Sequence, residues 1–129
     1  MYMTIHDETT AGSILNQVKL KLNSENISAS ELIRARIFQE VNEYNHKRPE
    51  YYRGLVQPAH AEVVLNGYKL NRKHRLDPEI LFGIAMAAFQ RNEFVIVVNE
   101  KQINDPDYSI PVCPQTKVSF LKLTSMVGW

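Results

Sequence analysis

ISASELIRARIFQEVNEYN, residues 27–45, is the segment around which the rest of the fold can be predicted. Ser28-Ala29-Ser30-Glu31 forms a capping box, in which the Ser28 hydroxyl accepts from the Glu31 amide and the Glu31 side chain reaches back. Apolar side chains then recur at helical spacing and define one buried face. They are Leu32, Ile33, Ile37, Phe38, Val41 and Tyr44. The segment therefore predicts a long amphipathic helix that ends near Asn45, ahead of Pro49.

The flanking segments predict a sheet against which this helix packs. Apolar and polar residues alternate before the helix, as in a strand with one buried face. After it come a continuous β-branched run and a last segment that is apolar on both faces, which favours central strands. The predicted strands are Met1–Asp7, Ser13–Leu22, Phe94–Val98, Lys101–Ile103 and Thr116–Thr124. Without the middle of the chain, and with the short strand Lys101–Ile103 left uncounted, the order is ββαββ.

The middle of the chain, residues 47–92, is predicted to be a mainly helical insertion between the long helix and the third strand. Pro58 suits the first turn of a short helix that Gly67 would end. Residues 68–76 are predicted to form a basic loop. Asp77-Pro78-Glu79 then combines an N-cap residue, a proline at the first helical position and an acid in the first turn. This start predicts a second helix with Ile80, Leu81, Ile84, Ala85, Ala88 and Phe89 on its buried side.

Composition places the chain among single globular domains and excludes several classes. It has 129 residues, a net charge of +1 and one cysteine, Cys113. A balanced charge provides no general attraction to nucleic acid or to a membrane surface. The apolar run Phe94–Val98 is far shorter than the roughly 20 residues that span a bilayer. The start of the chain does not match a signal peptide, and a lone cysteine suits a reducing cytoplasm, so a cytoplasmic protein is expected.

The order of elements resembles the β-grasp fold of ubiquitin and of the ThiS and MoaD sulfur carriers. FVIVVNEKQINDPDYSI, residues 94–110, resembles the ubiquitin segment in which a strand, a tight turn and a short strand precede a loop. TKVSFLKLTSMVGW, residues 116–129, resembles the last strand and tail of a carrier or modifier. The resemblance implies an α+β ubiquitin-like β-grasp core, residues 1–46 and 93–129, with a helical insertion at 47–92. YYRGLVQPAHAEVVLNGY, at the start of this insertion, resembles uncharacterised bacterial ubiquitin-like proteins, some of which accompany activating and conjugating enzymes in phage-defence operons.

The resemblance implies that function resides in the tail, Val127, Gly128 and Trp129. In this family a Gly-Gly end enters a narrow channel of an adenylating enzyme, and its carboxylate is adenylated and passed to a thiol or sulfur source. Gly128 matches the penultimate glycine, whereas Trp129 replaces the final one. Three interpretations stay open: a JAB-type peptidase removes Trp129, a dedicated activating enzyme has a wider pocket, or the tail is inert and the fold is an interaction module. The implied partners are activating and conjugating enzymes, such a peptidase and protein targets.

Two other surfaces are candidates for binding. Tyr51, Tyr52 and Leu55 are predicted either to form a surface for self-association or to join the core. The edge of the second strand, or the short strand Lys101–Ile103, could accept a partner strand. Each predicts a protein partner for this chain.

A basic, aromatic-flanked segment is the sequence's one feature that favours nucleic acid. Lys69, Arg72, Lys73 and Arg75 follow one another closely and could hold a phosphate backbone. A solvated loop is the simpler interpretation of such a run, so nucleic acid is not the expected partner. The two alternatives to a modifier are thus a sulfur carrier and a nucleic-acid-binding module.

Catalytic chemistry is not predicted. The four histidines lack metal-ligand spacing, and no pair of cysteines exists to complete a zinc site. Cys113 has no histidine near it in the sequence, and the carboxylates of Asp77 and Glu79 suit a helix start. A protein that is not an enzyme, and that needs neither a metal nor a cofactor, is therefore expected.

Overall fold

A computed structural model describes residues 1–47, 49, 51–58, 61–64, 67–70 and 75–123. The predicted tail residues Val127, Gly128 and Trp129, and also Arg72 and Lys73, lie outside these ranges.

Two helices and ten strands are seen in the described residues. The first half contains β1 (Tyr2–Glu8), β2 (Ile14–Lys21), β3 (Asn26–Ser28), α1 (Ala29–Lys47), β4 (Tyr51–Tyr52), β5 (Glu62–Val64) and β6 (Gly67–Lys69). The second half contains α2 (Pro78–Gln90), β7 (Phe94–Val98), β8 (Lys101–Ile103), β9 (Ser109–Pro111) and β10 (Val118–Lys122). The chain is thus a mixed α+β protein.

The main sheet has five strands in the order β2-β1-β10-β7-β8. β1 and β10 are parallel, with Ile5 opposite Val118, and the other neighbouring pairs are antiparallel. The prediction that the last strand lies in the middle of the sheet is confirmed. Its inward residues Val118 and Phe120 are 2% and 0% exposed, because they belong to the core that also contains the inner face of α1.

α1 begins as its sequence predicts. The Ser28 hydroxyl accepts from the Glu31 amide at 3.0 Å, and the Glu31 carboxylate accepts from the Ser28 amide at 3.1 Å. Ile27 before the cap and Leu32 after it are both buried, as in a hydrophobic staple. The helix continues to Lys47, one half-turn beyond the predicted end. Its inner face supplies the centre of the core between α1 and the main sheet.

The predicted short helix after Pro58 is wrong. Residues 51–69 instead contribute a three-stranded sheet in the order β4-β6-β5, with Tyr52 opposite Tyr68 and Val63 opposite Tyr68. Val63 and Val64 are β-branched residues, which favour extended backbone, and β5 and β4 both pair with β6. Tyr68, predicted to be in a basic loop, is 1% exposed in β6. The insertion is therefore helical only in part.

α2 has the predicted start but not the whole predicted buried face. The Asp77 carboxylate accepts from the Glu79 amide at 2.9 Å, and Pro78 is the first helical residue. Leu81, Ala85, Ala88 and Phe89 are buried. Ile80, however, is 57% exposed, so its prediction as a buried residue is wrong.

A third small sheet was not predicted. β3 and β9 pair antiparallel, with Ile27 opposite Ile110 and Asn26 opposite Pro111. Both isoleucines are buried, and Val112 donates its amide to the Glu25 carbonyl at 2.8 Å. Pairs this short carry little local signal, because partners more than 80 residues apart in sequence stabilise them.

Candidate functional site

The exit of the chain from the main sheet is described as far as Leu123. β10 ends at Lys122, and the Leu123 amide still donates to the Glu93 carbonyl at 3.2 Å. The Leu123 side chain is 51% exposed. The central strand thus ends five residues before Val127, the first of the tail residues that the sequence marks as functional.

The predicted surface around Tyr51 is largely core. Tyr52 is 2% exposed and packs edge-to-face on Tyr44 at 5.4 Å between ring centroids, while Leu55 is 0% exposed. Gly54 lies so close to the Tyr52 ring that a side chain there would overlap it. Of the three residues, Tyr51 alone is partly accessible, so the three do not form an exposed surface together.

Tyr51 lies on the rim of a cleft between the end of α1 and the inserted sheet. The cleft has a volume of about 410 Å³ and is lined by Glu40, Glu43, Tyr44, Lys47, Tyr52 and Arg53 in addition to Tyr51 and Pro49. Acidic and basic side chains alternate with aromatic rings along its walls. Such a mixture suits a peptide side chain better than it suits a nucleic-acid backbone, which requires a surplus of positive charge.

The basic segment is described only at its ends. Lys69 ends β6 and is exposed, and Arg75 is exposed two residues before the α2 cap. Tyr68, the aromatic neighbour that could stack on a base, is buried and faces the Tyr52 ring at 6.4 Å between centroids. The ring of Tyr68 is therefore not available to stack on a nucleic-acid base.

A buried cluster of charges joins the sheet, α1 and the insertion, and sequence reasoning missed it. The Arg36 guanidinium donates to both Asp7 carboxylate oxygens, at 2.5 and 2.6 Å, and to Glu40 at 3.2 Å. The other Glu40 oxygen accepts from the Leu55 amide at 3.0 Å. Arg36 and Asp7 are 1% and 3% exposed. The sequence did indicate that Asp7 points inward, because this residue continues the alternation that places Met3 and Ile5 on the buried face of β1.

The electrostatics of this cluster follow from burial and from the charges inside it. Burial lowers the pKa of the Arg36 guanidinium, but Glu40 and Asp7 outweigh burial and leave that pKa above its ordinary value. Burial raises the pKa of the Glu40 carboxyl, and Arg36 and the Leu55 amide oppose the shift. Burial, then the charge of Glu40, raises the pKa of Tyr68 to about 12. The hydrogen bond from the Leu55 amide to Glu40 can therefore hold the insertion on the core. The Tyr68 hydroxyl stays neutral at physiological pH.

Lys122 is the last inward residue of β10 and lies near this cluster. Burial first, and then the positive charge of Arg36, lowers the pKa of its ammonium to about 7. It also lines a cavity of about 130 Å³. The other lining residues are Leu55, Val56, Gln57, Ile84, Ala88, Arg91, Glu93 and Phe94. A lysine with this pKa changes its charge near neutral pH, five residues before Val127.

The described part of the chain contains no group of three or more histidine, cysteine or carboxylate side chains that could hold a metal ion. Cys113 lies 3.1 Å from the Thr116 hydroxyl, and this contact lowers the pKa of its thiol. Neither α1 nor α2 is long and apolar enough to cross a membrane.

β2 and β8 form the two edges of the main sheet. The sequence predicted that either of these strands could accept a partner strand. β2 is eight residues long, but Lys19 and Lys21 point from it, and the Gln39 side chain already donates to the Lys19 carbonyl at 2.9 Å. Edge lysines and capped carbonyls hinder pairing with another strand. β8 is three residues long at the opposite edge. Its short length and the exposed Lys101 also hinder pairing, so both edges carry features that oppose strand addition.

Comparison with known proteins gives no relative for this chain. No protein-family model matches it, and searches of curated proteins and of solved structures found no match. The fold and the site define a mixed α+β protein with a buried charge cluster beneath an inserted sheet.

Proposed function

We propose that this chain is a ubiquitin-like β-grasp protein that acts by being bound or conjugated, through the segment after β10 and through its surface. One observation carries the proposal. β10 lies between β1 and β7, parallel to β1, while α1 crosses one face of the same sheet. This is the arrangement that the resemblance to ubiquitin and to the sulfur carriers implies.

The central position of β10 supports a role for the residues that follow it. A strand held by two neighbours is a rigid base, so a segment attached to it is presented at a fixed point of the molecule. Val127, Gly128 and Trp129 would be the segment recognised by an adenylating enzyme, after or without loss of Trp129. The exposed Leu123 side chain lies four residues before Val127 and would be the first contact.

Protein contacts beyond the tail are proposed at the Tyr51 cleft and at the short β8 edge. The cleft offers about 410 Å³ with both signs of charge, which fits a side chain of a target or of a conjugating enzyme. A bacterial conjugation system of the phage-defence type would supply such partners. A sulfur carrier, or a module that binds nucleic acid through Lys69 and Arg75, is the competing function.

The deciding experiment follows the fate of the tail. The full chain with an N-terminal tag is expressed in its cells of origin, beside a variant that lacks residues 128–129 and a matched variant that lacks Trp129 alone. A modifier gives higher-mass adducts on a denaturing blot, lost in the first variant and retained in the second if Trp129 is removed naturally. Intact mass spectrometry of the unconjugated protein reports whether Trp129 is present.

Other outcomes separate the alternatives. If the intact mass shows that sulfur has replaced an oxygen of the C-terminal carboxylate, the chain is a sulfur carrier. Binding to single-stranded nucleic acid that weakens steeply with salt and with Lys69→Ala/Arg75→Ala indicates the nucleic-acid module. A chain without adducts that still co-purifies with a defined protein, through Tyr51, is a non-conjugated interaction module. A chain with no adduct, no thiocarboxylate and no protein partner would overturn the proposal.

A further inference from the structure

Lys122 lines a small cavity between the insertion and α2. The cavity has a volume of about 130 Å³, and its walls include Leu55, Val56, Ala88 and Phe94. Each of these four side chains is buried. A water molecule takes about 30 Å³ of liquid volume, so the space holds about four waters or one organic molecule of about five heavy atoms. The cavity therefore has the size and the apolar walls of a site for a short alkyl group.

A lysine is a costly residue for the wall of such a cavity. Methionine, which has a similar length, would fill the same place without a charge to desolvate. Burial and the positive charge of Arg36 instead lower the pKa of the Lys122 ammonium to about 7, so about half of the amine is neutral at that pH. Desolvation and a neighbouring cation are the two causes that activate a lysine amine for attack on a carbonyl group. The negative charges that oppose this shift without cancelling it are those of Asp7, Glu40 and Glu93.

The rim of the cavity favours a neutral ligand. Arg91 and Glu93 line it, and the Arg91 guanidinium donates to the Glu93 carboxylate at 2.5 Å. Because these two charges balance each other, the rim does not favour a carboxylate or a phosphate on the ligand. Gln57 and Arg91 are exposed, so the cavity reaches solvent on their side. A short aliphatic aldehyde fits these conditions, because it combines a neutral alkyl chain with a group that reacts with an amine.

We infer that Lys122 takes up a short aliphatic aldehyde in this cavity and forms an imine with it. The amine nitrogen attacks the carbonyl carbon, and the carbonyl oxygen becomes the hydroxyl group of a carbinolamine. That oxygen then leaves as water with both hydrogens of the neutral amine, while the C=N bond forms. The alkyl chain packs against Val56, Ala88 and Phe94. This inference is independent of the proposed function.

Reductive trapping on the full chain tests this site. Butanal is added at pH 7 with cyanoborohydride, which reduces an imine to a stable butylamine, and peptide mapping by mass spectrometry locates the adducts. The adduct at Lys122 should exceed that at the exposed Lys117 by roughly tenfold or more, because an ordinary lysine is almost entirely protonated at this pH. Lys122→Met should lose this adduct and keep the minor adduct at Lys117.

The size of the reagent separates the cavity from general amine reactivity. The Lys122 nitrogen is buried, so a reagent reaches it only by entering the cavity. A bulky aldehyde, 2-naphthaldehyde, should therefore label Lys117 but not Lys122. Ala88→Leu, which places more carbon atoms in the cavity wall, should reduce labelling of Lys122 by butanal and leave Lys117 unchanged. Ala87→Leu makes the same change beside the cavity and is the matched control.

Equal labelling of Lys122 and Lys117 by butanal at pH 7 would overturn the inference. The same ratio of labelling at these two lysines for butanal and for 2-naphthaldehyde would also overturn it, because the cavity would then not select the reagent. If Ala88→Leu loses its cooperative thermal transition, the comparison of the two aldehydes on the unmodified chain decides alone.

Discussion

The guanidinium of Arg36 in α1 holds both carboxylate oxygens of Asp7 in β1, at 2.5 and 2.6 Å, with both side chains almost completely buried. The same guanidinium lies 4.8 Å from the centroid of the Phe120 ring on β10. One side chain thus connects the helix to two central strands of the sheet. Through Glu40, which receives the Leu55 amide, the contact extends into the insertion.

Arg36→Met should be strongly destabilising. It removes the partner of a buried carboxylate and leaves Asp7 uncompensated, which typically costs about 3–5 kcal/mol of the free energy of unfolding. Arg34→Met, two residues earlier, removes an exposed ion pair with Glu79 and should cost less than about 1 kcal/mol. Urea unfolding followed by circular dichroism measures both. Equal losses in the two variants would show that the Asp7 contact does not stabilise the fold.

Lys122→Met should stabilise the protein at neutral pH. The folded protein holds the pKa of Lys122 at about 7, below its ordinary value of 10.5, so the unfolded chain binds more protons between these two pH values. The penalty of the charged lysine is therefore complete below pH 7 and fades as the pH rises toward 10.5. We expect a gain on the order of 1 kcal/mol at pH 6, allowing for partial exposure.

The pH profile provides the control for this prediction. Stability of the unmodified chain, relative to Lys122→Met, should rise between pH 7 and pH 10, whereas the exposed Lys117→Met variant should follow the unmodified chain. Chemical denaturation at several pH values gives both curves. A constant difference across this window would contradict the lowered pKa.

Gly54→Ala should destabilise the insertion. The added methyl group would overlap the ring and hydroxyl of Tyr52, which is itself packed between Tyr44 and Tyr68. Overpacking of this kind typically costs about 1–3 kcal/mol. Gly83→Ala is the matched change at an open helical site and should be neutral or stabilising by up to about 1 kcal/mol. Thermal unfolding of dilute protein compares them, and the same sign for both would refute the packing argument.

Ser28→Ala should remove the N-cap of α1. The hydroxyl that accepts from the Glu31 amide is lost, which costs about 1 kcal/mol. Ser30→Ala, the same change two residues later, should cost less because alanine favours the helix interior. Midpoints of urea unfolding distinguish the two variants. A larger loss for Ser30→Ala would mean that the capping box does not determine the stability of this helix start.

The parts of the fold that the sequence predicted share a local origin. The Ser28 cap, the Asp77 cap and the inward alternation of β1 each depend on residues within a few positions of one another. The predicted short helix after Pro58 failed because the pairing of β4 and β5 with β6 outweighs a proline signal that suits either structure. Ile80 was placed on the buried side of α2 because apolar character alone does not say which apolar residue faces the core.

The candidate site also has one part that the sequence indicated and one part that it did not. Its tail, Val127 to Trp129, was chosen by resemblance and lies outside the described residues, whereas the Arg36 cluster was not chosen at all. An arginine beside apolar residues on α1 is expected to extend to solvent, and its partner Asp7 is 29 residues away. Periodicity does not indicate that two such groups meet.

The sequence alone determined α1, the cap of α2 and the alternating strands, because hydrogen bonds and side-chain periodicity within each segment fix them. The apolar residues on both faces of the last strand indicated its central place. The tertiary structure alone decided the β3–β9 pair, the inserted sheet, the burial of Arg36 with Asp7 and the exposure of Ile80. These depend on which surfaces come together across long sequence separations. The free energy of burying a group is set by the neighbours that enclose it.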